Sequence, residues 1–329
     1  MAVGKRIEWI DIAKGISIIL VVLVHTGLSG PVSLWVKAFL MPFFFFVSGI
    51  LVNYQKYPTF FDFLKKRWST IIRPYIIFSI IDYLLLVAYG EDLALSELYT
   101  GWKIPLALWF IPVLLFSQCL FYIFCKYIKH KVLIFTALTI SAAGGYLCYI
   151  NNFHFWFKAE VALTAVFFFG LGNISRTVIC KFMDESKNYI LLICMTIAFV
   201  VSFVVSTKSS THLDMCFNVI GSPLATYTAA LSGTFFMMTL SRILTKFEYS
   251  VNLVLRKAFQ FIGKNSYVVL AFHQVVFMGV FKLFSQAGLP SIISLAIRHS
   301  LMWGILVILI LLINRYIPWV LGKEKRKIH

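Results

Sequence analysis

Long apolar segments recur along almost the whole chain, and they constrain its fold more strongly than any other feature of the sequence. A helix needs roughly 20 apolar residues to cross a bilayer, and about ten stretches of that length occur in the 329 residues. Their approximate extents are 15–29, 34–54, 72–89, 104–124, 132–150, 159–175, 188–206, 216–240, 265–284 and 297–317. A hydrophobic fraction of 60% and a mean hydropathy of +0.87 exclude an ordinary soluble domain. The sequence therefore predicts an all-α fold, a polytopic membrane helix bundle with about 10 transmembrane helices.

The distribution of positive charge predicts how this bundle is oriented. The chain has 30 Lys and Arg against 13 Asp and Glu, a formal net charge of +17. If both termini lie in the cytoplasm, 23 of the 30 basic residues fall on the cytoplasmic side and 6 on the outer side, with Lys14 at the inner boundary. This asymmetry follows the positive-inside rule and predicts an even number of spans with both termini cytoplasmic. Topology thus explains the charge, so we expect no nucleic-acid partner, although an anionic cytoplasmic ligand is compatible with it.

The segments between the spans predict a single domain. They are too short to contain a separate globular domain, so we expect one transmembrane domain over residues 1–329. Lys5 and Arg6 resemble the start of a signal peptide, but Asp11 and Lys14 interrupt the apolar run and no small-x-small cleavage site follows. The six cysteines show neither metal-ligand nor disulfide spacing, and no H-x-x-H or H-x-x-x-H pair occurs. We therefore expect packing cysteines and no metal site.

The first apolar segment contains ionisable residues, which are costly inside a membrane and by default mark a functional site. Eleven residues separate Lys14 from His25, about three helical turns, so both side chains project from one face roughly 16 Å apart. Asp11 lies three residues before Lys14 and shares this stripe. His25 is the leading catalytic candidate. The alternative for His25 is a packing histidine that is bonded to a backbone carbonyl.

Four polar residues on four different segments are expected at one depth. Counting from the basic residues at the inner boundary places them roughly 12–17 Å into a core about 30 Å thick. They are His25, Ser48, Asp82 and His273. Each would be expensive facing lipid, so we expect them to face a shared interior.

The three residues other than His25 also have a structural alternative. Asp82 can orient a catalytic histidine, or it can pair with a basic residue and only hold helices together. His273 is evenly balanced between packing and function. Ser48 and Gly49 are better explained as a small-residue contact between helices than as a catalytic serine.

A strongly basic segment, Lys65 to Tyr75, separates the second and third apolar segments. Arg67 and Arg73 precede a predicted helix start at Pro74 and could bind phosphate with bidentate geometry. The alternative is a topogenic signal that also contacts anionic lipid. The sequence leaves both open.

Four sequence motifs follow one another between residues 6 and 273. The first runs from Arg6 through Glu8, Asp11, Lys14 and Gly15 to His25. The others are Met41-Pro42-Phe43-Phe44-Phe45-Phe46-Val47-Ser48-Gly49, Leu108-Trp109-Phe110-Ile111, and Ile262-Gly263-Lys264-Asn265-Ser266-Tyr267 leading to His273. Together they resemble the acyltransferase-3 group of integral membrane acyltransferases, whose Arg/Lys-x10-His signature is similar to the Lys14–His25 spacing. Within that group the chain most resembles the fucose 4-O-acetylase-like, or surface-glycan O-acetyltransferase, branch.

One departure from the family pattern concerns the basic segment. The family usually has two arginines three residues apart between its second and third helices. Here Thr70 stands three residues after Arg67, and Arg73 lies six residues on. Arg73 can replace the second arginine if the segment is helical.

The resemblance implies an enzyme, a membrane O-acyltransferase of the bacterial inner membrane. It would move an acyl group, most often acetyl, from cytoplasmic acyl-CoA to a sugar hydroxyl of a surface or lipid-linked polysaccharide. Its partners would be acyl-CoA, a glycan acceptor and membrane lipids, with acyl-CoA as donor substrate and no permanently bound cofactor. The site residues expected on this basis are His25, Asp82 and His273 for catalysis, Lys14, Arg67 and Arg73 for binding acyl-CoA, and Asp11, Ser48, Trp109, Asn265 and Ser266 for substrate or structural support.

Two questions stay open from the sequence. His25 can act as a general base or can accept the acyl group itself. A transporter or exporter of a glycan or small metabolite would also have many spans and an intramembrane histidine. Many carriers have an internal repeat, and no clear repeat relates the first five segments to the last five, which favours the enzyme.

Overall fold

The computed structural model describes residues 7–95, 106–208, 213–246, 250–284 and 291–323. Within these ranges the chain is helical and forms no β-strand. The helices are α1 (Glu8–Thr26), α2 (Gly30–Leu51), α3 (Phe60–Arg67), α4 (Arg73–Ala88), α5 (Phe110–Tyr127), α6 (Lys131–Ile150), α7 (Ala159–Glu185), α8 (Asn188–Lys208), α9 (Pro223–Lys246), α10 (Ser250–Lys264), α11 (Ser266–Phe284) and α12 (Ser291–Tyr316). A π-helical turn, Trp68–Ile72, joins α3 to α4.

Nine helical stretches of the described residues are long and apolar enough to cross a membrane. They are Glu8–Thr26, Gly30–Leu51, Phe60–Ala88, Ala107–Tyr127, Lys131–Ile150, Trp156–Glu185, Asn188–Lys208, Ser266–Phe284 and Ile293–Tyr316. Each overlaps one of the ten segments expected from the sequence, which confirms a polytopic helical bundle. The cytoplasmic location of both termini stays a prediction.

The tenth expected segment, 216–240, overlaps α9, which is not among these nine stretches. The 24 residues of α9 would span about 36 Å, so length is sufficient. The composition of α9 is less apolar than that of the nine stretches, because α9 contains buried hydroxyl side chains, namely Thr226, Thr234, Thr239 and Ser241. A helix that packs against other helices needs less apolar surface than one that faces lipid, so its role as a tenth span stays a prediction.

The chain divides into two compact units. Unit 1 comprises Met1–Tyr54, Phe116–Phe155 and Ala159–Ser266, and unit 2 comprises Gln55–Leu115, Trp156–Lys158 and Tyr267–His329. Both units draw on separate stretches of the chain. The single-domain organisation over residues 1–329 stays a prediction.

Two pairs of helices in unit 1 cross in close backbone contact, and glycine makes each crossing feasible. A Cβ atom on Gly49 of α2 would collide with the carbonyl of Phe169 in α7, and one on Gly172 would collide with the carbonyl of Phe46. The side-chain amide of Asn173 donates to the carbonyls of Gly49 (2.9 Å) and Val52 (2.8 Å) at the end of α2. The α1–α10 crossing is built in the same way. Small residues thus let backbones approach as they do in other membrane helix pairs.

In unit 2, α4 and α11 run side by side in the same direction. The Tyr267 hydroxyl donates to the Ile71 carbonyl (3.0 Å), and the rings of Phe78 and Phe272 have centroids 5.0 Å apart. Further along, Leu86 and Val275 form a buried cluster. Because these contacts advance together along both helices, the pair is parallel. Asp82 on α4 is therefore level with the part of α11 between Phe272 and Val275.

Candidate active site

The structure corrects the expected position of His25. The sequence placed His25 near the middle of its membrane segment. Instead α1 begins at Glu8 and ends at Thr26, and Gly27, with a φ of 133°, terminates it. His25 therefore lies in the last turn of α1, where its side chain is exposed. Lys14 is half-buried in the second turn, and because α1 is continuous the two residues lie about 16 Å apart along the helix axis.

Desolvation by the surrounding protein has the largest effect on the His25 ring, and two charged side chains of unit 1, Lys37 and Asp214, add smaller electrostatic effects. Lys37 is exposed on α2, and Asp214 is half-buried in the segment between α8 and α9. Neither residue was expected in the site from the sequence. Asp214 could have been noticed because the expected alternation of spans puts the segment before α9 on the same side as the end of α1.

The opposite end of α1 brings the first and fourth sequence motifs together. A Cβ atom on Gly263 of α10 would collide with the carbonyl of Asp11, whose side chain is buried. Asn265 is buried between α10 and α11 and donates from its side-chain amide to the Phe261 carbonyl (2.8 Å). Ser266 follows at the start of α11 and is half-buried. Thus Asp11, Asn265 and Ser266 stand in a tightly packed part of unit 1.

Ser48 lies on α2 and is half-buried next to Gly49. Gly49 is in close contact with the α7 backbone, which agrees with a small-residue contact between helices. A catalytic role for Ser48 stays a prediction.

Unit 2 contains two fully buried ionisable residues at one level, Asp82 and His273. The Nδ1 atom of His273 lies 2.9 Å from the carbonyl oxygen of Val269 and 3.0 Å from that of Leu270. Because a carbonyl only accepts, Nδ1 carries a proton, and in the neutral ring Nε2 is the acceptor. The backbone-bonded arrangement that was considered for His25 is therefore found at His273.

Helical geometry turns His273 away from the face of α11 that contacts α4, the helix that carries Asp82. His273 is about 100° around the helix from Phe272 and about 160° from Val275, the two residues that contact α4. Neither carboxyl oxygen of Asp82 has a hydrogen-bond partner among the described residues. Orientation of a histidine by Asp82 stays a prediction.

The two arginines of the basic segment have different surroundings in unit 2. The Arg67 guanidinium lies over the rings of Phe63 (4.8 Å) and Tyr57 (5.7 Å). Arg73 donates to the carbonyls of Ser69 and Trp319 and lies 5.4 Å from the centre of the Trp319 ring. The segment between Arg67 and Arg73 is helical, as is required if Arg73 replaces the second arginine of the family pattern. Binding of acyl-CoA by Arg67 and Arg73 stays a prediction.

Trp109 ends the short 3₁₀ turn Leu106–Trp109 and is buried in unit 2. Its ring packs against that of Phe110 at a centroid distance of 6.4 Å. This is a packing environment at the start of α5.

A comparison with protein-family models matches residues 7–321 to Acyl_transf_3, an acyltransferase domain. The match covers nearly the whole chain, and with the apolar helices it defines a multi-pass membrane acyltransferase. The chain belongs to the acyltransferase-3 family. This supports the enzyme over the transporter that the number of spans also allowed. No curated protein and no solved structure matches the chain.

Proposed function

We propose that this acyltransferase moves an acetyl group from cytoplasmic acetyl-CoA to a hydroxyl of a surface or lipid-linked polysaccharide in the bacterial inner membrane. The observation that carries the proposal is the position of His25, exposed in the last turn of α1. On the predicted topology α1 runs outward, so His25 would be on the side where surface glycans are found. The motifs similar to the surface-glycan branch of the family support the same acceptor.

Positive charge supports a CoA donor. CoA is polyanionic, and the predicted cytoplasmic side carries most of the Lys and Arg residues. Lys14 stands near the inner end of α1, and the half-buried Arg67 has a guanidinium suited to phosphate. The acetyl thioester of a CoA whose phosphates bind near Lys14 would then have to reach about 16 Å along α1 to contact His25.

An imidazole at His25 can perform the transfer by two balanced routes. As a general base, His25 takes the proton of the sugar hydroxyl while its oxygen bonds to the acetyl carbon, and the imidazolium returns the proton to the departing thiolate. As a nucleophile, His25 takes the acetyl group and releases CoA thiol, and the sugar hydroxyl then attacks the acetyl-imidazole and leaves its proton on the ring.

The proposal is tested with labelled acetyl-CoA and membranes that contain the endogenous glycan. We expect His25→Ala to lose transfer at matched expression. His130→Ala is the matched control, because His130 is an exposed histidine before α6 outside the site. Equal labelling of glycan by wild type and His25→Ala would contradict catalysis by His25. A well-folded wild type that transfers no label would contradict the acetyl donor.

The two routes differ in one observable. If His25 accepts the acetyl group, labelled acetyl-CoA without acceptor leaves label on the His25 peptide of wild type. A general base leaves the peptide unlabelled under the same conditions.

A further inference from the structure

An ordered segment between α8 and α9 in unit 1 carries a carboxylate that the sequence analysis did not assign to the site. Asp214 and Val219 exchange two backbone hydrogen bonds of 2.9 and 2.8 Å. Leu213 and Ile220 are buried, and the Thr226 hydroxyl donates to the Ile220 carbonyl (2.5 Å). These contacts fix the segment that contains Asp214 against the start of α9.

The Asp214 side chain has a defined orientation within this segment. Its Oδ1 atom accepts the backbone N–H groups of Cys216 (3.0 Å) and Phe217 (3.4 Å), which caps the turn Met215–Phe217. A carboxylate has a second oxygen, so Oδ2 can accept a further hydrogen bond. Capping therefore holds the carboxylate in place without using its whole capacity as an acceptor.

Helix register places this segment at the His25 end of α1. Gly233 of α9 packs against Phe39 of α2. Four residues earlier on both helices, the Ala229 carbonyl accepts from Ser202 (2.9 Å), which in turn accepts from Trp35 (3.1 Å).

Both contacts pair residues that are 194 positions apart, so α2 and α9 are parallel and in constant register. Extrapolation puts Pro223, the first residue of α9, level with Ser29. Ser29 lies three residues after the end of α1 at Thr26. The segment before Pro223 is therefore at the same end as His25, and its Asp214 acts electrostatically on the ring together with Lys37.

We propose that Asp214 is the positioning carboxylate of His25 and that Lys37 is the opposing cation of the same cluster. The proposal rests on the proposed function, in which His25 takes a proton or an acetyl group and so becomes cationic. A nearby carboxylate stabilises an imidazolium, and an ammonium group opposes it. Asp214 and Lys37 would therefore shift in opposite directions the pH at which His25 is neutral and reactive.

The first test measures His25 itself and needs neither donor nor acceptor. Diethyl pyrocarbonate modifies neutral imidazole, so modification of His25 is followed by mass spectrometry of membranes across a pH series. We expect the pH of half-modification to move down in Asp214→Asn and up in Lys37→Gln, each by about half a unit or more. Asp214→Asn keeps a side-chain oxygen for the Cys216 and Phe217 N–H groups, so the turn is retained.

Controls are available within the same chain. His130 in the same samples should keep its half-modification pH in both variants. Glu185→Gln, which removes an exposed carboxylate of α7, should leave His25 unchanged. An unchanged His25 profile in Asp214→Asn, with His130 behaving normally, overturns the proposal.

The second test separates this proposal from the proposed function. We expect Asp214→Asn to slow acetyl transfer roughly tenfold at an unchanged KM for acetyl-CoA, and the slower rate to carry a shifted pH–rate profile. If His25→Ala retains transfer while Asp214→Asn still shifts the His25 profile, the charge cluster stands and catalysis by His25 fails. If His25→Ala abolishes transfer while Asp214→Asn changes neither profile, catalysis by His25 stands and the role of Asp214 fails.

Discussion

Gly15 of α1 and Gly263 of α10 occupy one helix crossing, each directly against the backbone of the other helix. A Cβ atom on Gly15 would collide with the carbonyl of Phe259, and one on Gly263 would collide with the carbonyl of Asp11. Glu8 of α1 adds hydrogen bonds at the same crossing, since its carboxylate accepts from the α10 side chains of Arg256 (2.5 Å) and Gln260 (2.6 Å). The glycines of two motifs that lie far apart in sequence therefore have one packing role.

Alanine at either glycine is expected to destabilise unit 1. Because the colliding atoms belong to backbone, Gly15→Ala or Gly263→Ala must push α1 and α10 apart, at a cost of about 1–3 kcal/mol. The measurement is the apparent unfolding temperature in detergent at one fixed scan rate. Gly304→Ala is the matched control, because no atom lies within 4 Å of a Cβ built on Gly304. Equal unfolding temperatures for Gly15→Ala and Gly304→Ala would show that the helices do not cross this closely.

The two histidines are expected to differ in what their loss affects. His273 is fully buried and bonded to its own helix backbone, so His273→Ala leaves a cavity and should cost about 2 kcal/mol or more. His25 is exposed, so His25→Ala should keep the wild-type unfolding temperature while it loses acetyl transfer. Measuring both properties for both variants decides the point. A large fall in the stability of His25→Ala would indicate a packing role instead.

The apolar segments could be predicted from the sequence because composition and length alone determine which stretches can cross a bilayer. The start of α1 could not be predicted from the sequence. The sequence placed the first segment at 15–29 because Lys14 was the predicted inner boundary. In the structure Arg256 and Gln260 of α10 contact Glu8, and the helix extends back to that residue. Because Gly27 also ends the helix after Thr26, His25 lies in the last turn of α1 and not in the middle of its segment.

The helix α10 was not predicted, although a signal was present. Leu255, Phe259 and Ile262 recur at helical spacing among polar residues, which is typical of an amphipathic helix. Fifteen residues are too few for a span, so a search for spans passes over it. For Asp214 the alternation of spans indicates only the side of the membrane, which it shares with the end of α1. The approach of Asp214 and Lys37 to His25 arises only when α2, α8 and α9 pack in register.

Asp82→Asn separates a catalytic carboxyl from one that holds helices together. The substitution keeps the shape of the side chain and removes its ionisable group. Neither oxygen of Asp82 has a hydrogen-bond partner among the described residues, so no such bond is lost, and we expect an unfolding temperature no lower than that of wild type. If Asp82 has the catalytic role expected from the sequence, transfer falls about tenfold or more. A less stable variant with normal transfer would favour the helix-pairing alternative.

Arg67 and Arg73 are expected to separate ligand binding from stability. Arg73 donates to the carbonyls of Ser69 and Trp319, so Arg73→Ala should loosen the turn Pro318–Leu321 and cost about 1–2 kcal/mol. The Arg67 guanidinium lies over two aromatic rings, and if it binds phosphate as the sequence predicts, Arg67→Ala should raise the KM for acetyl-CoA several-fold.

Lys65→Ala is the matched control for this pair, because Lys65 is an exposed basic residue of α3, two positions before Arg67. If the segment acts only through its positive charge, Lys65→Ala and Arg67→Ala should raise the KM equally and both effects should fall with added salt. If Arg67 binds phosphate through its planar guanidinium, Arg67→Lys should resemble Arg67→Ala, and Lys65→Ala should resemble wild type. Kinetics at two ionic strengths with these three variants therefore distinguish a specific phosphate contact from a general attraction between the basic segment and an anionic donor.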